Sequence, residues 1–239
     1  MTVSFIVPVY NAESYIENCL LSLIGQPVMR QIIVVDDGCT DRSMSIVRKM
    51  ASKLPDSGIE IYEQIHAGQA AARNIGLEHA TGDYIVFVDA DDSLAYDWCE
   101  RHLQTLGQAD YIQSGYTRIE NGKHIEERSP LHRYQFTTVW GRLYRRQAVE
   151  HLRFREGYIY EDVLFSLDLW LSGAKGTILR SYCGYYYTRN PQSTTAHPNM
   201  QDRQRLFEEL RQRAQKESLK GKIIIYYTYL RLKLHFLHV

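Results

Sequence analysis

Four short, continuous apolar segments alternate with helix-forming segments over the first hundred residues, and this alternation restricts the possible folds more than any other feature. The predicted strands are SFIVPV (4–9), QIIVVDDG (31–38), IEIYEQ (59–64) and YIVFV (84–88). Continuous apolar strands separated by helices are typical of a mainly parallel sheet that is covered on both faces. We therefore predict an α/β fold with a Rossmann-like sheet.

The pattern changes after residue 100. Asn121-Gly122 is typical of a two-residue hairpin turn. Residues 137–151 are predicted to be helical, residues 161–173 form a strongly apolar helix that Gly173 ends, and residues 177–190 have strand character. Because no linker is evident, residues 1–198 are predicted to form one domain, and residues 199–239 a C-terminal helical extension.

Polar side chains follow three of the four predicted strands. Tyr10-Asn11 follows the first strand, Asp36-Asp37 ends the second, and Asp89, Asp91 and Asp92 follow the fourth. In open α/β sheets ligands bind beyond the carboxyl ends of the strands, so these residues should converge at one edge. Two acidic loops favour Mg²⁺, Mn²⁺ or Ca²⁺, and a magnesium-type site needs only one or two carboxylates when a diphosphate supplies the other ligands. Asn11 is also predicted to cap the first helix.

Other interpretations of the DADD segment remain open at this point. A lone pair of spaced aspartates is often only surface acid. An EF-hand calcium loop starting at Asp89 would need glycine where Leu94 stands, and a strand precedes the segment instead of a helix. A phosphatase of the haloacid dehalogenase type would use a DxDx[ST] nucleophile, but such enzymes place it on the first strand of the domain.

Charge, cysteine content and hydropathy exclude several classes of protein. Lys and Arg balance Asp and Glu at 28 each, so no global field attracts nucleic acid. The four cysteines are far apart without a CxxC pair, which indicates a reduced, cytoplasmic chain and no zinc site. The start lacks the features of a signal peptide, and no run reaches the roughly 18 apolar residues needed to span a bilayer.

Five segments, in order, resemble family 2 glycosyltransferases: FIVPVYN, IIVVDDGCTD, HAGQAAARNIGLEHATGDYIVFVDADD, WGRLYRR and YEDVLF. The resemblance is strong over residues 3–93, moderate over 137–195 and absent after about 200. It implies a GT-A fold, with a nucleotide-sugar-binding half at residues 1–100 and an acceptor half at 101–198. It also implies an inverting, metal-dependent transfer of a sugar from a UDP-sugar to a hydroxyl of a glycan or lipid-linked saccharide, as in bacterial surface-polysaccharide synthesis.

The resemblance also implies roles for individual residues. Asp162 would be the catalytic base, with Glu161 as the alternative, although both also suit the N-terminal dipole of a helix. Asp91, assisted by Asp92, would hold Mn²⁺ or Mg²⁺. Asp37 or Asp36 would accept the uracil N3 proton. The residues implied to bind the nucleotide are Pro8, Tyr10, Asp36, Asp37, His66, Arg73, Asp89, Ala90, Arg189 and Ser193. Gly141 and Arg142 depart from the commoner Asn and Lys, which weakens predictions on the acceptor side.

The C-terminal segment KIIIYYTYLRLKLHFLHV allows two predictions, a helix and an alternating strand, and we favour the helix. Its apolar stripe consists of Ile223, Tyr226, Tyr227, Leu230 and Leu234, with Thr228, Arg231, His235 and His238 opposite. The stripe could pack on the chain's own core. Residues 222–239 could instead mediate self-association or peripheral contact with the inner face of the membrane.

A non-catalytic nucleotide-sugar-binding protein remains the second class of function for the chain as a whole.

Overall fold

A seven-stranded sheet forms the centre of the computed structural model, which describes residues 1–190 and 200–237. The eleven described strands are β1 (Thr2–Val9), β2 (Met29–Asp36), β3 (Ile59–Glu63), β4 (Tyr84–Phe87), β5 (Ser93–Leu94), β6 (Tyr111–Gln113), β7 (Tyr116–Glu120), β8 (Lys123–Arg128), β9 (Arg142–Arg145), β10 (Gly176–Ile178) and β11 (Tyr185–Thr188). The large sheet has the order β10-β6-β9-β4-β1-β2-β3, and β5-β11-β7-β8 form a smaller sheet. Among the described strands of the large sheet, only β9 runs antiparallel to its neighbours, so the predicted mainly parallel sheet is confirmed.

Helices cover both faces of the large sheet, as predicted. They are α1 (Ile16–Ile24), α2 (Ser43–Lys53), α3 (Gln69–His79), α4 (Trp98–Leu106), α5 (Arg146–Val149), α6 (Glu161–Leu171), α7 (Met200–Lys216) and α8 (Leu219–Leu237). One apolar cluster includes residues of α1, α2 and α4, and the other includes residues of α3, α6, α7 and α8. Successive side chains of β1 enter opposite clusters, because side chains alternate between the faces of a strand.

At the end of β1 two neighbouring strands of the large sheet separate, and the candidate site lies at this edge. Pairing between β1 and β4 stops at Ile6 and Phe87, and the last hydrogen bond runs from the Val88 amide to the Ile6 carbonyl. The next residue of β1 on that side is Pro8, which has no amide hydrogen to donate. Pro8 therefore fits where β4 turns away from β1, and the loops after the two strands can diverge around a ligand.

Three local predictions are wrong. Within the segment predicted to be helical, residues 142–145 form β9 between β4 and β6, and only Arg146–Val149 is helical. Gly141 has a φ of 70°, which a helix does not allow, and Leu143 and Tyr144 pair with neighbouring strands. Asn11 does not cap α1, which begins at Ile16; its side chain accepts hydrogen bonds from the amides of the loop before α2. The predicted strand at 177–190 is two strands, β10 and β11, which belong to different sheets.

The C-terminal segment is helical as predicted, but it packs through a different face. Ile224, Ile225, Thr228 and Leu232 are buried against the domain. The apolar stripe predicted from the sequence is exposed instead, and His238 lies outside the described residues. None of the helices in the described part of the chain is long and apolar enough to cross a bilayer. The division into residues 1–198 and 199–239 stays a prediction.

Candidate functional site

A single buried arginine connects the acids of the candidate site. Arg73, on α3, is 1% exposed. Its Nη2 donates to Asp89 Oδ1 over 2.7 Å, and its Nη1 donates to Glu161 Oε1 and to Asp162 Oδ1, each over 2.8 Å. Asp89 follows β4, and the other two acids begin α6, so residues far apart in sequence meet at one guanidinium. The side chain predicted to contact the nucleotide thus contacts carboxylates.

Burial and the charge of a neighbouring carboxylate raise the pKa of both acids at the start of α6. Burial is the largest cause of the raised pKa of Glu161, followed by the charge of Asp162, and Arg73 opposes both. Burial also raises the pKa of Asp162, again against the effect of Arg73. Asp162 Oδ2 accepts a second hydrogen bond, from the Val139 amide, over 3.2 Å. The side chain of Asp162 is 20% exposed and that of Glu161 8%, so Asp162 is the more accessible of the two carboxylates.

The three aspartates after β4 have different environments. Asp89 also accepts a hydrogen bond from Gln69 Nε2 over 2.8 Å. Both carboxylate oxygens of Asp92, which is 1% exposed, have partners: the Tyr185 hydroxyl donates over 2.6 Å and the Thr188 amide over 2.8 Å. Ala90 is buried between Asp89 and Asp91. The two hydrogen bonds of Asp92 thus hold the acidic loop against β11.

Asp91 is the acid of this loop best placed to hold a divalent cation. Its Oδ2 accepts a hydrogen bond from Asn190 over 3.1 Å. Burial, followed by the charge of Asp89, raises the pKa of Asp91 to about 6, so its ionised form would gain from a nearby cation. No group of three or more metal-ligating side chains occurs among residues 1–190 and 200–237. One or two carboxylates are enough when a diphosphate shares the ion, so the donor set fits Mn²⁺ or Mg²⁺ held by Asp91.

The acids after β2 organise a neighbouring loop. Asp37 is 3% exposed, and its carboxylate accepts hydrogen bonds from Gln64 Nε2 and from the amides of Ala67 and Gly68. His66 Nδ1 lies 3.0 Å from Asp37 Oδ2. Asp36 is partly exposed and accepts a hydrogen bond from the Cys39 amide. Asp36 is therefore the more accessible acid of this pair for a hydrogen bond from the N–H of a nucleobase.

Two exposed rings mark the place predicted for the nucleobase. Tyr10 and His66 stack with ring centroids 4.2 Å apart and planes inclined by 26°. Arg189 is exposed and pairs with Glu120 over 3.1 Å. Ser193 lies outside the described residues. The structure thus places Tyr10, Asp36, Asp37 and His66 around one loop.

Several side chains that hydrogen-bond to the acids are not among the residues predicted from the sequence. Gln69 stands four positions before Arg73 on α3, and this spacing puts both on one helix face, so helical periodicity could have revealed it. Tyr185 and Asn190 have no comparable signal, because only the pairing of β11 with β5 brings them to the acidic loop.

Comparisons with known proteins agree with this architecture. The model of Glycosyl transferase family 2 matches residues 4–160. An uncharacterized glycosyltransferase of Haemophilus influenzae is 34% identical over an alignment of 201 residues that covers 78% of each chain. The glycosyltransferase GlyA of Streptococcus pneumoniae is 30% identical over 72% of this chain, but the match covers only 28% of GlyA.

Solved structures show the same fold. The S. aureus TarS fragment 1–349 in complex with UDP-GlcNAc superposes with a TM-score of 0.81 at 23% identity, covering 97% of this chain and 72% of that one. The mannosyltransferase PcManGT of Pyrobaculum calidifontis, in complex with GDP-Man and Mn²⁺, gives a TM-score of 0.73 at 20% identity over 96% of this chain and 69% of that one. This chain therefore belongs to glycosyl transferase family 2 and has the GT-A fold.

Proposed function

We propose that this protein transfers a sugar from a UDP-sugar to a hydroxyl of a saccharide or lipid-linked saccharide, with inversion at the anomeric carbon. The observation that carries the proposal is the contact of Arg73 with both Asp89 and Asp162. One guanidinium thereby fixes the acid assigned to the donor relative to the acid assigned to the acceptor. Such fixed geometry is what a two-substrate transfer requires.

The donor side favours a uracil nucleotide. Asp36 and Asp37 can accept the N3 proton of uracil, and Tyr10 offers a ring on which a base can stack in place of His66. Asp89, with one oxygen held by Arg73 and Gln69, is placed to accept from ribose hydroxyls. TarS is described with UDP-GlcNAc and PcManGT with GDP-Man, so GT-A proteins accept different bases. The two acids after β2 support UDP here.

Asp162 is proposed as the base that takes the proton of the acceptor hydroxyl. It is more exposed than Glu161, and its two hydrogen bonds hold its direction. Its raised pKa makes it a stronger base than an ordinary aspartate once it is ionised. A divalent cation bound at Asp91 would neutralise charge on the departing diphosphate. A single base and direct displacement give inversion.

Because the chain belongs to family 2, the phosphatase interpretation is dropped. The calcium-loop interpretation is dropped as well, because strand β5 lies within the segment that such a loop would occupy. A non-catalytic nucleotide-sugar-binding protein would use the same donor pocket without turnover. The intact Glu161–Asp162 pair at the start of α6 supports an enzyme. A cytoplasmic location and a role in bacterial surface-polysaccharide synthesis form part of the proposal, and the relatives named above are bacterial.

Calorimetry of UDP binding tests the donor site first. The wild type and Asp91→Ala are titrated with UDP in Mn²⁺ and in chelator. We expect tight binding only for the wild type with Mn²⁺. Exposed Asp56→Ala serves as a control and should bind as the wild type does. Binding that needs neither Mn²⁺ nor Asp91 would refute the metal role, and no binding under any condition would refute the UDP donor.

A further inference from the structure

Helix α8 exposes an apolar face. Its side chains at positions 219, 223, 226, 230 and 234 are Leu, Ile, Tyr, Leu and Leu, and they are 56–78% exposed. Steps of three or four residues put them on one side of a helix. The opposite side, with Ile225 and Leu232, packs on the domain. Contiguous exposed apolar surface of this kind is uncommon on soluble proteins and marks a surface that binds something.

The cations of α8 flank this face. At 100° per residue, Lys222 and Lys233 lie along one edge of the apolar stripe and Lys220 along the other. The helix carries no acidic residue. Residues 200–237 contain nine Lys and Arg against four Asp and Glu, whereas the whole chain is balanced at 28 each. Positive charge is therefore concentrated on the two C-terminal helices.

A second element extends the same surface. His132 Nε2 lies 2.7 Å from the Tyr227 hydroxyl, and Arg231 Nη1 donates to the Tyr134 carbonyl over 2.9 Å. The loop at residues 131–134 is thereby held against α8, and it adds Leu131, which is 73% exposed, together with Arg133. Apolar side chains flanked by lysine and arginine thus come from two separate parts of the chain.

We propose that the exposed face of α8 and the loop at 131–134 bind the surface of a membrane that contains anionic lipids. The apolar stripe would enter the boundary between headgroups and acyl chains, and the long lysine stems would let their ammonium groups reach the phosphates. A second copy of the chain is the poorer partner, because its α8 would bring cations against cations. Anionic headgroups complement the charge.

The surface also lies close in sequence to a residue that contacts the proposed base. Val139, whose amide donates to Asp162, follows Leu131 by eight residues, which span at most about 29 Å. If the proposed function holds, a lipid-linked acceptor would reach the site from the membrane side of this loop. Membrane binding itself does not depend on the proposed function.

Vesicle flotation of the full chain tests the proposal. Neutral phosphatidylcholine vesicles are compared with vesicles containing one quarter phosphatidylglycerol, at 0.15 M and 0.5 M salt. We expect the wild type to float with the anionic vesicles and to lose most binding at high salt. The triple variant Ile223→Ser, Leu230→Ser, Leu234→Ser should stay in solution. The triple variant Lys220→Gln, Lys222→Gln, Lys233→Gln should bind at least about tenfold more weakly.

A matched control removes exposed apolar side chains elsewhere: Leu21→Ser, Met29→Ser, Leu54→Ser. It should float like the wild type. Equal flotation of the serine variant of α8 and the control would overturn the proposal, as would a wild type that binds no vesicles. Sedimentation velocity tests the alternative that the face binds a second copy of the chain. A wild type that forms a dimer but does not float, together with a monomeric serine variant of α8, would assign the face to self-association. UDP calorimetry on the same variants should be unchanged, which keeps this test independent of the donor site.

Discussion

Replacing Arg73 by methionine should destabilise the protein, and the loss should grow with pH. The substitution leaves Asp89, Glu161 and Asp162 together without the cation that all three contact. Removing one partner of a buried ion pair costs about 3–5 kcal/mol. For a chain of this length each kcal/mol shifts Tm by about 2–4 °C, so we expect a decrease of roughly 6–20 °C at pH 8.

The direction of the pH dependence follows from the raised pKa values. Arg73 lowers the pKa of Glu161 and of Asp162, so its removal raises both further above their unfolded values. A carboxyl with a raised pKa contributes full stability below its unfolded pKa, and that stability is lost as pH rises through the folded pKa. Each unit of further increase adds about 1.4 kcal/mol to the loss. The deficit of Arg73→Met should therefore be smaller at pH 5.5 than at pH 8.

Urea unfolding followed by circular dichroism at the two pH values measures this effect. Arg73→Lys keeps one charge and should fall between the wild type and Arg73→Met. Arg101→Met removes an arginine that is more than half exposed and pairs with Asp97, so it should cost under about 1 kcal/mol. A deficit for Arg73→Met that is equal at both pH values, or no larger than that of Arg101→Met, would refute the reasoning.

Three further substitutions test the catalytic base, the base-stacking ring and the packing of α3. Asp162→Asn should lower kcat by about 10²–10⁴ while UDP affinity measured by calorimetry stays the same, and a normal kcat would exclude Asp162 as the base. Tyr10→Ala should weaken UDP binding roughly tenfold through lost stacking, with Tyr96→Ala as an exposed control that should bind normally. Gly76→Ala would place its Cβ in a steric clash with Ile6 Cγ2, so thermal unfolding should show a loss of about 1–3 kcal/mol, and a stabilised variant would contradict this packing.

The sequence alone determined the parts of the fold that depend on local pattern. Continuous apolar strands separated by helices predicted the parallel sheet, and Asn121-Gly122 predicted the turn between β7 and β8. The acids after β2 and β4 could be located because parallel strands end at a common edge. Each of these inferences uses neighbours in sequence or a general property of sheets, so one chain without its structure is enough.

Only the tertiary structure decided what each acid contacts. The β9 segment was mistaken for a helix because its strand conformation depends on β4 and β6, which are distant in sequence. The sequence does not show that Tyr185 donates a hydrogen bond to Asp92, or that α6 brings two carboxylates to Arg73. Helix α8 showed its apolar stripe in the sequence, but its buried face depends on which helices it meets. Contacts between distant segments have no local signal, and the site consists of such contacts.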